Sequence, residues 1–443
     1  MRKQIVGMLN IFMIGSIVAF LLIIAAYVLP TGPMKQHMEE SAEILLDEGI
    51  YPTWKDEWFV RMHPYNAFDV KTMLLNNRIT ARDNYTDALM LLQAAYDGSE
   101  PLIERAMAVY RYTNETDNPF GAMDAIVQGK TNELERAQYD RYWHGYLVFL
   151  KPLLLIGNIA LIRWVNVIVM VLLLAWVCIL IRKRLAKAEC GWFLYSLLFL
   201  MPFTIPFCMQ YCTSTYVMLV ALIVLLKNVD WLQQGHHYAY YFMIVGMAVV
   251  YVDYLTFPLI TFGIPVIFVF LLDKSERSFW KDLIRTIRYG IDWSIGYVGL
   301  WAMKWVLASF VLHQNVVKEG IEQVLFRSSS VSEYADFQIT ILKAWGSNVC
   351  NYVNILYIGL IIIGLIFARK GIQFSVRSLW KRVKKEGIFL VIAMMPFIWY
   401  GVFKNHSYSH GSFTFRCLMV TVFAGMIFIS KWNHSCKRQE RIS

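Results

Sequence analysis

Charge is what this sequence has least of. Only 17% of its 443 residues are Asp, Glu, Lys or Arg, against about 25% in an ordinary soluble domain. Length alone would suggest about three soluble domains, but 57% of the residues are hydrophobic and 15% aromatic. The shortage of charge excludes the soluble reading and leaves one polytopic membrane domain. Several chemical signatures are missing as well. There is no Gly-rich phosphate loop, no GxSxG and no CxxC. A P-loop, a serine-hydrolase elbow and a thioredoxin-like motif are therefore excluded. Seven cysteines lie mostly in or beside apolar runs, and none falls between 31 and 148. That excludes a disulfide framework there. No internal repeat or low-complexity tract stands out. No cleavable signal peptide is evident either: residues 5–29 are too long for its apolar core and read as a retained first span.

What charge there is falls unevenly. Residues 31–148 carry 19 Asp/Glu and 11 Lys/Arg, a net of −8, in a chain of net +10. The remainder therefore holds +18, gathered in short loops between apolar runs. That pattern carries topology and argues against a nucleic-acid partner. The chain reads as an all-α polytopic membrane protein with about ten transmembrane helices and a large helical first extracytoplasmic loop. The expected spans are 5–29, 158–181, 191–207, 211–227, 238–253, 255–272, 291–312, 349–368, 388–404 and 413–430. Basic clusters at 182–187, 274–288, 369–385 and 431–441 all fall on the cytoplasmic side if the N-terminus is inside. Residues 1–30 then form the first transmembrane helix, 31–148 the external loop, 149–430 the multi-span domain and 431–443 a cytoplasmic tail. The protein is expected in the plasma membrane with both termini cytoplasmic. Within the loop, helices are expected over 33–47, 101–112 and 131–150, besides one that starts near Asp83.

Four constellations could carry chemistry. The first is ARDNYTDALMLLQAAY, 81–96. Asp83 and Asp87 lie four residues apart and share one face of a helix. Capping is the ordinary reading, and Asp83 is the better N-cap. The functional reading is a carboxylate that takes the proton of an acceptor hydroxyl. Asp87 is favoured for that role because it directly precedes the apolar stripe Ala88, Leu89, Leu92 and Ala95. The second constellation is RYWHGY, 141–146, followed by Lys151. Arg141, His144 and Lys151 place three potential cations near headgroup depth, suited to a phosphate. The ordinary alternative is an interfacial aromatic belt with Lys151 snorkelling.

The third is KNHSYSHGSFTFR, 404–416. His406 and His410 have the spacing of a helical metal pair, but no acid lies in the turn, so zinc is the weaker reading. Arg416 opens the last span and needs a phosphate or an ion-pair partner. The fourth is YVDYLTFP, 251–258, in which Asp253 sits between two apolar runs. An acid there is either functional or salt-bridged to Arg163, Lys304 or Arg416. The acid pairs 47–48 and 56–57 read as solvated. Cys208 and Cys212 read as small apolar residues.

A short cytoplasmic start, one span, a large acidic outer loop and then many spans resembles the GT-C superfamily of integral membrane glycosyltransferases. The likeness of layout covers nearly the whole chain. DNYTDALML, RYWHGY, DYLTFP and NHSYSHGSFTFR look like signatures of bacterial members whose substrate is unassigned. The resemblance implies a polyprenyl-phosphate sugar donor bound at the outer membrane boundary and a cell-envelope glycan, lipid or protein as acceptor. It implies that Asp83 or Asp87 is the base and that Arg141, His144, His406, His410 and Arg416 frame the donor phosphate. Lys151 and Asp253 join that substrate-binding set from the residue patterns above. No cofactor follows with certainty, and a divalent cation stays open. One departure from the family is plain: the acid its members often place soon after the first span has no clear counterpart, since Glu39, Glu40 and Glu43 form an ordinary helix face. The other classes are a lipid-linked saccharide transporter or flippase, and a non-catalytic envelope assembly factor. A transporter would call for inverted repeats and broken midplane helices, whereas the polar features here gather at the outer edge.

Overall fold

The structure, a computed structural model, describes residues 2–53, 78–332, 337–369 and 376–439. Asp56 and Glu57, with parts of the basic clusters 369–385 and 431–441, lie outside the described residues. The described chain is all-α except for one two-stranded antiparallel ribbon, Arg111–Thr113 against Glu135–Ala137.

Among the described residues, six helices are long and apolar enough to cross a membrane, or seven if the bent pair Ile341–Tyr352 and Ile355–Ala368, angled at 85°, is one span. Those used below are α1 (Arg2–Val28), α4 (Ile159–Arg184), α5 (Met209–Lys227) and α8 (Phe279–Leu312). Before α4 come α2 (Gly32–Glu48) and α3 (Asn84–Ala95); between α5 and α8 come α6 (His237–Val252) and α7 (Ile260–Leu272). A helix stands at each of the ten expected span positions. Length and composition vouch for only six or seven of them. At 16 and 13 residues, α6 and α7 fall short of the roughly 20 that a span needs. The expected span 255–272 loses its first residues to an irregular loop, in which Leu255 holds a left-handed φ of 64° and Pro258 follows.

Helices α1 and α4 turn their apolar sides outward. Leu9, Ile14 and Leu21 of α1, and Trp164, Val171 and Leu172 of α4, are exposed, while Arg163 and Asn166 of α4 are buried. A soluble helix does the reverse, and a surface so apolar fits a lipid environment. Inside the bundle, α6 and α8 run in the same direction. Tyr238 meets Tyr289 at 5.4 Å near their starts, and Gly246 and Gly296 meet further along. A Cβ on Gly246 would lie 2.1 Å from the Trp293 carbonyl, and one on Gly296 would lie 2.0 Å from that of Met243. Only glycine allows backbones that close.

The acidic insertion rests on one end of this bundle. The Ser41 hydroxyl of α2 accepts from the Ile159 amide at the start of α4, at 2.9 Å. Two expectations within the insertion fail. The helix expected over 101–112 ends at Ala108, because Val109 turns left-handed at φ 49°; the β-forming Tyr112 and Thr113 then join the ribbon. Of the helix expected over 131–150, Thr131–Glu133 forms a single 3₁₀ turn and the part from Leu147 is α-helical, while Glu135–Ala137 is the partner strand.

Candidate functional site

The start of α3 is fixed by its own sequence. Asp83 is the N-cap: its carboxylate accepts from the Thr86 amide at 3.0 Å and the Thr86 hydroxyl at 2.9 Å. Asp87, one turn on, points instead at the first turn of α5. The Met209 amide donates to its Oδ1 at 2.9 Å. Gln210 donates to Asp83 Oδ2 at 2.5 Å. One turn further along the same helix, the Thr213 and Ser214 hydroxyls donate to Asp253 Oδ1 at 3.0 and 2.9 Å, and the Thr256 amide donates to Oδ2 at 2.8 Å. Three carboxylates thus meet the first two turns of one 19-residue helix, whose N-terminal amides and dipole favour negative charge.

The other motifs join this centre through residues 254 and 255. His144 Nδ1 lies 3.2 Å from the hydroxyls of Tyr146 and Tyr254. Tyr254 also donates to Gln93 Oε1 of α3 at 2.7 Å. His406 Nε2 donates to the Leu255 carbonyl at 2.7 Å. The RYWHGY backbone docks here too, with the Gly145 amide donating to the Tyr251 carbonyl at 2.7 Å. A Cβ at Gly145 would fall 2.6 Å from that carbonyl.

The meeting point is a closed polar core. Asp87 is 0% exposed and Asp253 4%, and His144 and His406 are buried with them. Burial pushes the Asp87 carboxyl up to about 7, with Arg163 opposing the shift and Asp83 reinforcing it. Burial raises Asp83 as well, against its hydrogen bonds from Thr86 and Gln210 and the charge of Arg416. Asp87 Oδ2 is buried with no hydrogen-bond partner, and so is His406 Nδ1. A crevice of about 10 Å³ lies beside Leu255, lined also by Arg141, Tyr142, Trp301, Arg327 and Phe403. Tyr142 and Trp301 stack there at 5.5 Å.

Several of these side chains have partners that the sequence did not suggest. Lys151 does not snorkel: it is 1% exposed, and its ammonium donates to the Ala94 carbonyl at 2.6 Å beside the Tyr27 ring. His144 is held neutral, since burial drives its pKa to about 3, so it adds no charge for a phosphate. Asp253 has none of the three ion pairs considered. Arg163 grips Glu48 with two bonds of 2.8 and 3.0 Å, and Lys304 donates to the Met107 carbonyl at 2.6 Å. Arg416 is fully buried, donates to the Leu200 carbonyl at 3.1 Å and lies 3.8 Å from the Tyr211 ring centre. Arg141 pairs with Glu319. His410 accepts from Arg327 at 2.8 Å.

Four participants were misread or missed in the sequence. Glu48 was expected to be solvated, yet it joins Arg163, Arg82 and Asn84 in one network. Burial opposes its ionisation, but these partners together bring its carboxyl below the usual range. Gln210 and Thr213-Ser214 also went unremarked, though a polar run opening an apolar helix was a usable signal. As for a cation, no group of three His, Cys, Asp or Glu side chains able to hold a metal occurs among the described residues. The oxygens of Asp83 and Asp253 are occupied by hydrogen-bond donors, so the divalent ion left open by the sequence has no fitting cage here. No family model matches this chain, and comparisons with curated proteins and with solved structures found no match.

Proposed function

We propose that this protein is an integral membrane glycosyltransferase that moves a sugar from a polyprenyl-phosphate donor to a cell-envelope acceptor at the outer membrane face. The observation that supports it most is Asp87: an acid with a pKa near 7 and one unpartnered oxygen, at the start of α5, the helix that also holds Asp83 and Asp253. A base needs a pKa close to the working pH and room for one more proton. Asp87 takes the proton of the acceptor hydroxyl as that oxygen bonds to the anomeric carbon. The bond from that carbon to the phosphate oxygen breaks, and its electron pair leaves with polyprenyl phosphate. Arg141, paired with Glu319, and Arg327, which donates to His410, would exchange these partners for the phosphate of the leaving group. Because Asp87 is fully buried, α3 has to part from the start of α5 to admit the acceptor. The same reading places ten spans in the bilayer, both termini in the cytoplasm and residues 31–148 outside.

The closed state of the cluster favours a second reading, a non-catalytic assembly factor in which the carboxylates only fasten the outer loop to the bundle. Transfer from a polyprenyl-phosphate sugar to envelope acceptors by the purified protein separates the two. Under the enzyme reading, Asp87→Asn lowers turnover at least about a hundredfold, and Asp83→Asn lowers it less. Normal turnover by a folded Asp87→Asn protein excludes Asp87 as the base.

A further inference from the structure

One cavity lies far from Asp83, Asp87 and Asp253. It measures about 430 Å³ and is bounded by Gln4 of α1, His236 and Tyr238 at the start of α6, and Arg285, Arg288 and Asp292 of α8. Helix α6 begins here and ends beside Asp253; its 16 residues, at about 1.5 Å each, separate the two sites by about 24 Å. The cavity therefore sits at the opposite end of the bundle.

Its charges are incompletely matched. Arg285 is held by Asp273 at 2.5 Å, with Asp282 at 3.5 Å. Asp292 is 5% exposed, and its Oδ2 is buried with no hydrogen-bond partner; the Tyr238 hydroxyl is in the same condition. Arg288, one turn before Asp292, is exposed and has no ion pair within 4.0 Å among the described residues. Arg288 acts on Asp292 only from beyond 4.0 Å, and a carboxylate so buried is costly without a closer cationic partner. An exposed guanidinium at the mouth presents a fork that matches phosphate. The volume lies within the usual range for ligand pockets, about 300–1,000 Å³.

We propose that this cavity binds a phosphate-ammonium zwitterion, with the phosphate on Arg288 at the mouth and the ammonium on Asp292 inside. A phosphatidylethanolamine headgroup and free phosphoethanolamine share that chemistry. The site is independent of the transfer reaction proposed above.

Native mass spectrometry of the full-length protein tests it. The protein is incubated in detergent with equal amounts of phosphatidylethanolamine and phosphatidylglycerol, and separately with O-phosphoethanolamine. One phosphatidylethanolamine should be retained per chain, with phosphatidylglycerol retained at least tenfold less. Arg288→Gln and Asp292→Asn should each cut that retention at least tenfold. Binding of O-phosphoethanolamine without the lipid keeps the chemistry and assigns a soluble source. Equal retention of both lipids, no binding of either zwitterion, or undiminished binding by Arg288→Gln overturns the proposal. Arg288 and Asp292 are then only charges on one helix face. Arg288 is exposed, so its variant decides the matter even if Asp292→Asn fails to fold.

Discussion

Asp87→Asn should stabilise the protein at alkaline pH. The Asp87 carboxyl titrates near 7 in the folded chain and near 3.9 in an unfolded one. A group whose folded pKa is raised binds its proton more tightly when folded. Its contribution is therefore most favourable below the unfolded value and is lost as the pH climbs through the folded one. A shift of about three units corresponds to about 4 kcal/mol of destabilisation by the ionised form above pH 8. Between pH 5 and pH 8 that cost should grow by about 2–3 kcal/mol. Asparagine carries none of it. Its carbonyl can still accept from the Met209 amide, while its NH2 replaces the unpartnered Oδ2 and costs about 1–3 kcal/mol if unsatisfied. Net stabilisation of Asp87→Asn is therefore expected only at high pH. Thermal unfolding of the purified protein in detergent, run from pH 5 to pH 9 on both proteins, measures the difference of slopes. If Asp87 is a mere cap, the variant is destabilised by a similar amount at every pH, and that result would refute the argument. A stabilised variant that has lost transfer activity identifies an acid kept for chemistry at the expense of the fold.

Three further outcomes are expected. Glu48→Gln strands the buried Arg163 guanidinium and should destabilise by about 3–5 kcal/mol, with partial recovery on adding Arg163→Gln; equal thermal stability of single and double variants speaks against the pairing. Gly246→Leu forces α6 from α8 and should lower the melting temperature sharply, whereas Gly191→Leu, where a side chain meets nothing within 4 Å, should leave it unchanged. With the insertion outside, an impermeant thiol reagent on intact cells should label Glu115→Cys and spare Glu276→Cys, both exposed positions; the reverse pattern inverts the topology.

The helical class and the positions of the apolar helices were legible because both rest on local periodicity and composition. The N-cap role of Asp83 was legible for the same reason, since its partner Thr86 is three residues away. Pairings across the fold were not. Nothing near Glu48 in sequence announces Arg163, 115 residues on, and nothing near Lys151 announces the carbonyl of Ala94. The ribbon was missed because its two strands have three residues each, too few to display alternation. Asp253 illustrates a subtler limit. Its depth was foreseen, but the sequence suggested a counter-charge where the fold supplies hydroxyls and an amide.

The meeting of distant motifs at residues 253–256 also sets an order of assembly. Tyr254 bonds a residue 161 positions earlier, and Leu255 accepts from one 151 positions later. Contacts so far apart in sequence close late, after local structure has formed. During synthesis the insertion emerges first and has to wait for α5 and the following loop before Asp87 finds the Met209 amide, 122 residues on. Until then its carboxyl is wet and ordinary. The unusual acidity of Asp87 is a property of the completed chain, and a truncated one ending before residue 209 carries the same aspartate without it.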